Sequence, residues 1–422
     1  MSAITRIRDS KENLPSDSEI EKKLECASNE LYNDVPCDPT RAPFVPADYG
    51  LPANFRLTKY GDTKSLGIRP TLELLEICMG ALHESYQETN NENWRETNEE
   101  NFPLLMDEKT LLTRLHKFDL VMLETSNTLT PLIDDPYIMG KIACLSVLSG
   151  IYALGIVDIT TTRIALSIPS RMDPSHRKIV LPMIIRGFKD AARESKTTVY
   201  CSDVLVNPWC LIGGTATAVC TLYEFIPPDG AALGDVIVLT KPLGTSIALA
   251  VSQWLEHTEK RKRLLLAIDE DAVIKAKQRA IDSMLKSNRE AAILMRKYNA
   301  HAACEVTHQG LLKSAATLAQ LQKNPVNFVI HNLPVIAKMN AVSRLTGDST
   351  KLLNGSTPEL SGGLILVLPR EQAAAYCKIY DRIERRQTWI IGLVEEGQRT
   401  ARIIDRPRVI EVPAKENDSS LW

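Results

Sequence analysis

The feature that most limits this fold is a repeated change of hydrophobic period, broken once by a run of turn residues. From Leu104 to Ile226, short apolar runs of strand character alternate with longer segments whose apolar residues recur at helical spacing. Leu120-Val-Met-Leu, Arg163-Ile-Ala-Leu-Ser-Ile, Thr197-Thr-Val-Tyr and Cys210–Tyr223 predict strands. Pro136–Leu154, with Gly140, Ala143, Cys144, Val147 and Ile151, predicts a buried helix. Pro174–Glu194 predicts an amphipathic one, with Ile179, Met183, Ile184 and Phe188 on one face. Pro227-Pro-Asp-Gly then punctuates the chain. A second alternation follows: a strand from Asp235, a turn, a helix from Ser246, a long helix over Asp269–Tyr298, strands at Asn327-Phe-Val-Ile and Gly363-Leu-Ile-Leu-Val-Leu, a helix over Pro369–Arg385, and a closing strand at Trp389-Ile-Ile-Gly-Leu-Val. Alternation on both sides of a break predicts two domains, of α/β and α+β class, over residues 46–230 and 231–413. Residues 1–45 are expected to form a mostly disordered tail with one short helix near Ser18–Ala27, and 414–422 a second tail. The Asn- and Glu-rich stretch 84–101 is expected to be a surface insertion.

Charge excludes some functions. Lys+Arg number 50 against Asp+Glu 52, a net charge of -2, which argues against a protein built to coat nucleic acid or an anionic membrane. Aromatic residues are only 5%, too few for a base-stacking platform. The uncharged run Ile142–Val157 is about 16 residues, short of the roughly 20 that span a bilayer. The other long uncharged run, Val204–Tyr223, contains Asn207, Pro208 and a Gly213–Gly214 pair and is expected to be two buried strands or their turns. The first residues have no apolar core of the secretory kind, so a cytoplasmic location is the expectation. The nine cysteines include no Cys-x-x-Cys pair, which predicts reduced, mostly buried thiols and no zinc cage.

Five short stretches carry a family likeness: Leu132-Ile-Asp-Asp-Pro-Tyr-Ile-Met-Gly-Lys-Ile-Ala-Cys, Val206-Asn-Pro-Trp, Leu239-Thr-Lys-Pro-Leu-Gly-Thr, His331-Asn-Leu-Pro-Val and Ser361-Gly-Gly-Leu. Together and in this order they resemble selenophosphate synthetase, also called selenide, water dikinase. Pro369-Arg-Glu-Gln-Ala and Gly397-Gln-Arg-Thr-Ala-Arg-Ile-Ile-Asp point to its animal branch. The likeness runs from about Phe55 to Val412. It implies an aminoimidazole ribonucleotide synthetase-like architecture, in which an N-terminal domain dimerises through its sheet and a C-terminal α+β domain packs beside it. It also implies conversion of ATP, selenide and water to selenophosphate, phosphate and AMP, with Asp carboxylates bridging Mg²⁺ to the phosphates near the dimer interface. Such chemistry rests on positioning and charge neutralisation, and Mg²⁺ needs several hard oxygen ligands.

The positions that match those motifs have changed. Where the family has Gly-Met-Asp, this chain has Leu105-Met106-Asp107, keeping the acid and losing the glycine. Thr-Thr-Asp has become Thr125-Ser126-Asn127, and Leu-Ser-Asp has become Leu148-Ser149-Gly150. The Asp-Ile-Thr-Gly-Phe-Gly loop is Glu305-Val-Thr-His-Gln-Gly. Of four acids, Asp107 is intact, Glu305 is a longer substitute, and two are gone. The glycine-rich phosphate segment before the Asn-Pro is Cys201-Ser202-Asp203-Val204. There, a carboxylate about 5 Å from a phosphate would cost about 3 kcal/mol at an effective dielectric near 20. In the catalytic segment, Thr63-Lys-Ser-Leu-Gly-Ile-Arg-Pro has no cysteine; Arg69 stands where a lysine is expected, with Lys64 as the alternative cation.

The resemblance therefore assigns Arg69 as catalytic, Met106, Asp107, Asn127, Cys201, Ser202, Asp203 and Val204 as ATP-binding, and Asp107 and Glu305 as vestigial metal ligands. Bland roles compete with some of these. Asp107 is equally a solvated loop acid, Asp134 or Asp135 is expected to cap the helix at Pro136, and Cys304 and His308 beside Glu305 are expected to hold no metal. The Gly213–Gly214 and Gly362–Gly363 pairs are expected to allow close packing. The expected function is a catalytically inactive selenide, water dikinase-like scaffold or regulator. It would act as a homodimer or as a heterodimer with an active homologue. The alternative is an active synthetase with a rewired site. No cofactor is assigned; Mg²⁺ and ATP are expected only if binding survives.

Overall fold

A computed structural model describes residues 44–61, 104–105, 109–115, 119–346 and 349–414. The Ser18–Ala27 helix, the 84–101 insertion, and Lys64, Arg69, Met106 and Asp107 lie outside the described residues.

In chain order, the first half contains β1 (Leu104–Leu105), β2 (Thr110–Leu115), β3 (Leu120–Leu129), α1 (Pro136–Ala153), β4 (Thr161–Pro169), α2 (Pro174–Glu194), β5 (Val199–Asn207) and β6 (Leu211–Thr221). The second half contains β7 (Val236–Leu239), α3 (Thr245–Trp254), α4 (Thr258–Leu264), α5 (Glu270–Leu285), α6 (Arg289–Lys297), β8 (Ala302–Glu305) and α7 (Gly310–Gln320). It ends with β9 (Val326–Ile336), α8 (Met339–Thr346), α9 (Ser349–Leu353), β10 (Leu364–Leu368), α10 (Arg370–Glu384), β11 (Trp389–Glu396) and β12 (Ala401–Val412).

Each half contributes a six-stranded mixed sheet. The first has the order β1-β2-β3-β6-β4-β5, antiparallel except for the β4–β5 pair. The second has the order β12-β9-β11-β7-β10-β8, antiparallel except for β12–β9. In the first sheet one face is covered. Along β3, Val121, Leu123 and Thr125 are buried, while Met122 and Glu124 are half-buried and Ser126 is exposed. In the second sheet both faces are covered. Ile237, Leu239, Ile365 and Val367 pack into one apolar core, and the alternate residues Val236, Val238, Leu364, Leu366 and Leu368 pack into another. Period-2 side-chain alternation explains why Val-Ile-Val-Leu and Leu-Ile-Leu-Val-Leu carry no polar residue at all.

Helix α1 is apolar around its circumference and long enough to cross a bilayer, but 94% of it is buried inside the protein. Its start is fixed by Asp135, whose carboxylate accepts from the Tyr137 and Ile138 backbone N–H groups at 2.9 and 3.0 Å, with Pro136 in the first turn. The neighbouring Asp134 instead accepts from Thr58 N and Oγ1, at 3.1 and 2.8 Å. Helices α1 and α2 cross where Gly140 and Gly187 face each other; a Cβ on either would overlap the other helix's backbone. From this position α1 touches β3 and β6 of the first sheet on one side and α5, α6 and β8 of the second half on another.

Several expectations need correction. The long helix over Asp269–Tyr298 is two helices, α5 and α6, because Lys286 turns extended with ψ 123. Strand β3 continues through Leu129, so Thr125, Ser126 and Asn127 lie within a strand rather than after it. Cys201–Val204 are part of strand β5, not a loop, and β5 is an exposed edge rather than a buried strand. Trp389–Glu396 does not close the fold; β12 follows and pairs with β9. Strand β8 was invisible in Ala-Ala-Cys-Glu, where small residues give no periodic signal.

Candidate functional site

The two sheets meet at a cleft built from the start of β2, the end of β3, the middle of α1, the end of β8 and the segment before β10. Lys109, Asn127, Ser146, Glu305, Glu359 and Ser361 are among its walls. The interior leaves room for little more than one water. Here Lys109 Nζ forms an ion pair with Glu305 Oε2 and donates to the Ser146 carbonyl at 3.1 Å. The two side chains are 2% and 3% exposed, so the pair is desolvated on both sides. It joins residues 196 positions apart and connects the two halves directly.

Asn127 lies one strand-face repeat beyond Thr125. Its amide donates to the Ser146 hydroxyl, and its own carbonyl oxygen is buried without a hydrogen-bond partner among the described residues. An amide retains an acceptor oxygen but carries no charge for a cation. Gly150 sits one helical turn beyond Ser146 and faces β2 and β3. A Cβ there would fall 2.7 Å from Thr125 Oγ1, press on Thr110 Oγ1, and lie 3.3 Å from Lys109 Cε. The room for a side chain at residue 150 is taken by two threonine hydroxyls and the lysine stem.

Two more ionisable groups are fully buried next to this pair. Lys241 Nζ donates to the carbonyls of Lys286 and Ser361 at 2.7 and 2.9 Å. Burial pushes its ammonium down to about 7, against the opposing pull of the Glu305 carboxylate. Ser361 itself adopts φ 44, the left-handed region, which turns its carbonyl toward the amine. Glu359 caps α3, accepting from Gly244 N at 2.6 Å, Thr245 N at 3.1 Å and Thr245 Oγ1 at 2.5 Å. Burial pushes its carboxyl up to about 7, partly offset by those three hydrogen bonds. Gly244 holds φ 96, so only glycine suits the turn that aims both N–H groups at this carboxylate. Asn288 ties the halves again, donating to Ser149 Oγ at 2.8 Å and to the Gly362 carbonyl at 3.0 Å.

Of the site residues expected from sequence, the structure brings Asn127 and Glu305 together. It leaves Cys201, Ser202, Asp203 and Val204 on β5, three strands from β3, or about 14 Å at ordinary strand spacing. Cys201 and Val204 are exposed there. Asp203 sits opposite Ala165 in the parallel β4–β5 register. Cys304 turns its thiol toward the Ser314 carbonyl at 3.6 Å, and no group of three His, Cys, Asp or Glu side chains converges among the described residues. The glycine pairs do allow close packing: a Cβ on Gly213, Gly214 or Gly362 would overlap neighbouring backbone. Sequence reasoning missed Lys109, Ser146, Lys241 and Glu359. Lys109 was legible only as the second residue past Asp107, and nothing in the pattern distinguished it from a solvated cation.

Among the described residues, the donors in the cleft do not fit a divalent cation: Glu305 is the one described carboxylate here not engaged as a helix cap, and an ammonium already occupies it.

The architecture around this cleft has known counterparts. Residues 232–405 match the family model "AIR synthase related protein, C-terminal domain". Two solved thiamine monophosphate kinases share the fold. The Stenotrophomonas maltophilia enzyme is 19% identical with a TM-score of 0.53, over 74% of this chain and 93% of that one. The Aquifex aeolicus enzyme is 18% identical with a TM-score of 0.52, over 80% and 99%. The fold is therefore of the aminoimidazole ribonucleotide synthetase-like class. Sequence narrows the class. Selenide, water dikinase 3 of Danio rerio is 41% identical over 394 residues, covering 87% of this chain and 88% of that protein. Selenide, water dikinase 2 of Mus musculus is 43% identical over 390 residues, covering 88% and 86%. The chain belongs to the selenide, water dikinase family.

Proposed function

We propose that this chain is a member of the selenide, water dikinase family that does not make selenophosphate and acts by association through its first sheet. The observation that carries the reading is the content of the cleft. Asn127 and Gly150 stand where the resemblance places carboxylates, and Glu305 is neutralised by Lys109. A triphosphate with its metal needs several anionic ligands at one point; among the described residues this cleft offers Glu305, already paired, and Glu359, already held as a helix cap. The remaining assignments, Arg69, Met106 and Asp107, and Cys201 to Val204, are kept as the positions that correspond to the family's catalytic and nucleotide-binding segments. We divide the chain near residue 230, into an association domain over 46–230 and a second domain over 231–413.

Association is supported by β5. Tyr200, Val204, Leu205, Val206 and Trp209 are 50–62% exposed on and just after an edge strand. An edge with free backbone groups and apolar side chains on both faces is an invitation to pair. A second copy of this chain, or an active relative of the same fold, offers the matching edge.

Two measurements test the two parts. Purified protein with selenide and Mg-ATP is expected to release no AMP above a blank, beside an active family member that does; selenide-dependent AMP would establish the rewired-synthetase alternative instead. Light scattering is expected to give about twice the 47.0 kDa of one chain, alone or mixed with an active relative. A single-chain mass at micromolar concentration in both cases removes the association role.

A further inference from the structure

The Lys109–Glu305 pair does more than mark lost chemistry. Lys109 reaches the cleft from the residue before β2, and three features converge on its side chain. Its ammonium contacts Glu305, at the end of β8 in the other half. It donates to the Ser146 carbonyl, and Ser146 is the residue that also engages Asn127. Its Cε lies 3.3 Å from where a Cβ of residue 150 would stand. The lysine stem and head thus fill the volume between residues 127, 146, 150 and 305.

We infer that Lys109 is a built-in counter-ion: its tethered ammonium takes the place a free divalent cation would need and clasps the two halves without one. This deepens the reading proposed above for the same cleft, and its test does not use turnover. Among the described residues, one fixed positive charge faces one buried carboxylate in this pair. A divalent ion entering beside it would meet the ammonium at contact distance and find, among the described residues, the Asn127 amide, the Ser146 hydroxyl and carbonyl oxygens as uncharged ligands, with the Glu359 carboxylate already held at the start of α3. Lys241 does not take over this role, because its amine is held by the Lys286 and Ser361 carbonyls.

The inference makes the protein's stability insensitive to divalent metal, and it makes that insensitivity depend on one residue. Removing Lys109 alone leaves Glu305 buried without its partner, a strongly destabilising change. Removing both charges leaves a neutral pair, which is tolerated far better. The full-length wild type, Lys109→Met, Glu305→Gln and the double variant are compared by thermal unfolding with and without millimolar MnCl₂. Direct Mn²⁺ binding is followed by electron paramagnetic resonance. Wild type is expected to bind no Mn²⁺ and to show no shift in Tm. Lys109→Met is expected to lose about 5 °C or more, to recover part of that loss with Mn²⁺, and to show bound Mn²⁺. The double variant is expected to recover most of the loss and to ignore Mn²⁺. Saturable Mn²⁺ binding by the wild type with a rise of several degrees overturns the inference. So does a Lys109→Met protein as stable as wild type. If Lys109→Met fails to fold, the wild-type titration and the double variant still decide. AMP release by the wild type, by contrast, would refute only its inactivity.

Discussion

The two sheets have the same number of strands and similar helices, yet they are finished differently. The second is enclosed: β7 and β10 are buried at every residue, and their alternate side chains feed two separate cores. The first is covered on one face by α1 and α2 and ends in β5, an edge strand that shows Val204, Leu205 and Val206 to solvent. A sheet buried on both faces is complete within one chain. A sheet packed on helices over one face is stable by itself, but an apolar edge strand still gains from a partner. The difference teaches that the proposed loss of chemistry and the proposed association need not compete, since the cleft at β2 and β3 and the edge strand β5 lie toward opposite ends of the first sheet.

The sharpest way to break this comparison is to truncate a residue at the enclosed centre of the second sheet. Leu366→Ala, at the fully buried centre of β10, is expected to cost about 3–4 kcal/mol in denaturant unfolding. A cost under about 1 kcal/mol would mean that the second sheet is not the enclosed one. Next comes Gly150→Ala, whose methyl would press on Thr110 and Thr125 within a closed junction. We expect a loss of about 2 kcal/mol. Wild-type stability in that variant would show that the cleft has room for a side chain and would weaken the argument against a carboxylate there.

The pH dependence of stability separates the two buried ionisable groups. Lys241 has a folded value of about 7 against an ordinary 10.5, so between these the unfolded chain holds the extra proton. Stability from this group therefore rises with pH over that window, by about 2 kcal/mol from pH 7 to 9. Glu359 has a folded value of about 7 against 4.5, so here the folded chain holds the extra proton. Its contribution is full below pH 4.5 and is lost as pH rises through 7. Lys241→Met should flatten the alkaline limb and Glu359→Gln the acid limb of a stability–pH curve. An unchanged slope in either variant removes the corresponding assignment. The smallest expected effect is on folding by Leu205→Ser in β5. Stability of the isolated chain should move by less than about 0.5 kcal/mol, while the light-scattering mass should fall to that of one chain. An unaltered dimer would place the contact elsewhere.

Much of the fold was legible in the chain. Helix α2 was read at its observed limits because Asp173-Pro174 opens it and four apolar residues mark one face. Helix α1 was legible from its small and apolar residues and its Asp-Pro start. The strands with strong β-branched runs, β7 and β10, were equally clear. The failures have physical reasons. Strand β8 is Ala-Ala-Cys-Glu, too short and too small in side chain to show a period, and it is held by pairing with β10. The break between α5 and α6 falls at Lys286-Ser287, which carry no strong stop signal. β5 looked buried because its residues are apolar, and only its place at the end of the sheet makes it exposed.

The candidate site divides the same way. Sequence by itself determined which side chains are missing: an amide at 127, no side chain at 150, and a longer acid at 305. Those are facts of covalent chemistry and need no coordinates. Only the tertiary structure decided what stands in their place. Lys109 and Glu305 are distant in sequence, and their pairing depends on α1 holding the first sheet against the second half, so that a strand start and a strand end meet in a dry cleft. Nothing local encodes that meeting, because an ion pair between halves is a product of packing. For the same reason the bare edge of β5 and the enclosed centre of β10 are told apart by strand order rather than by the residues that compose them.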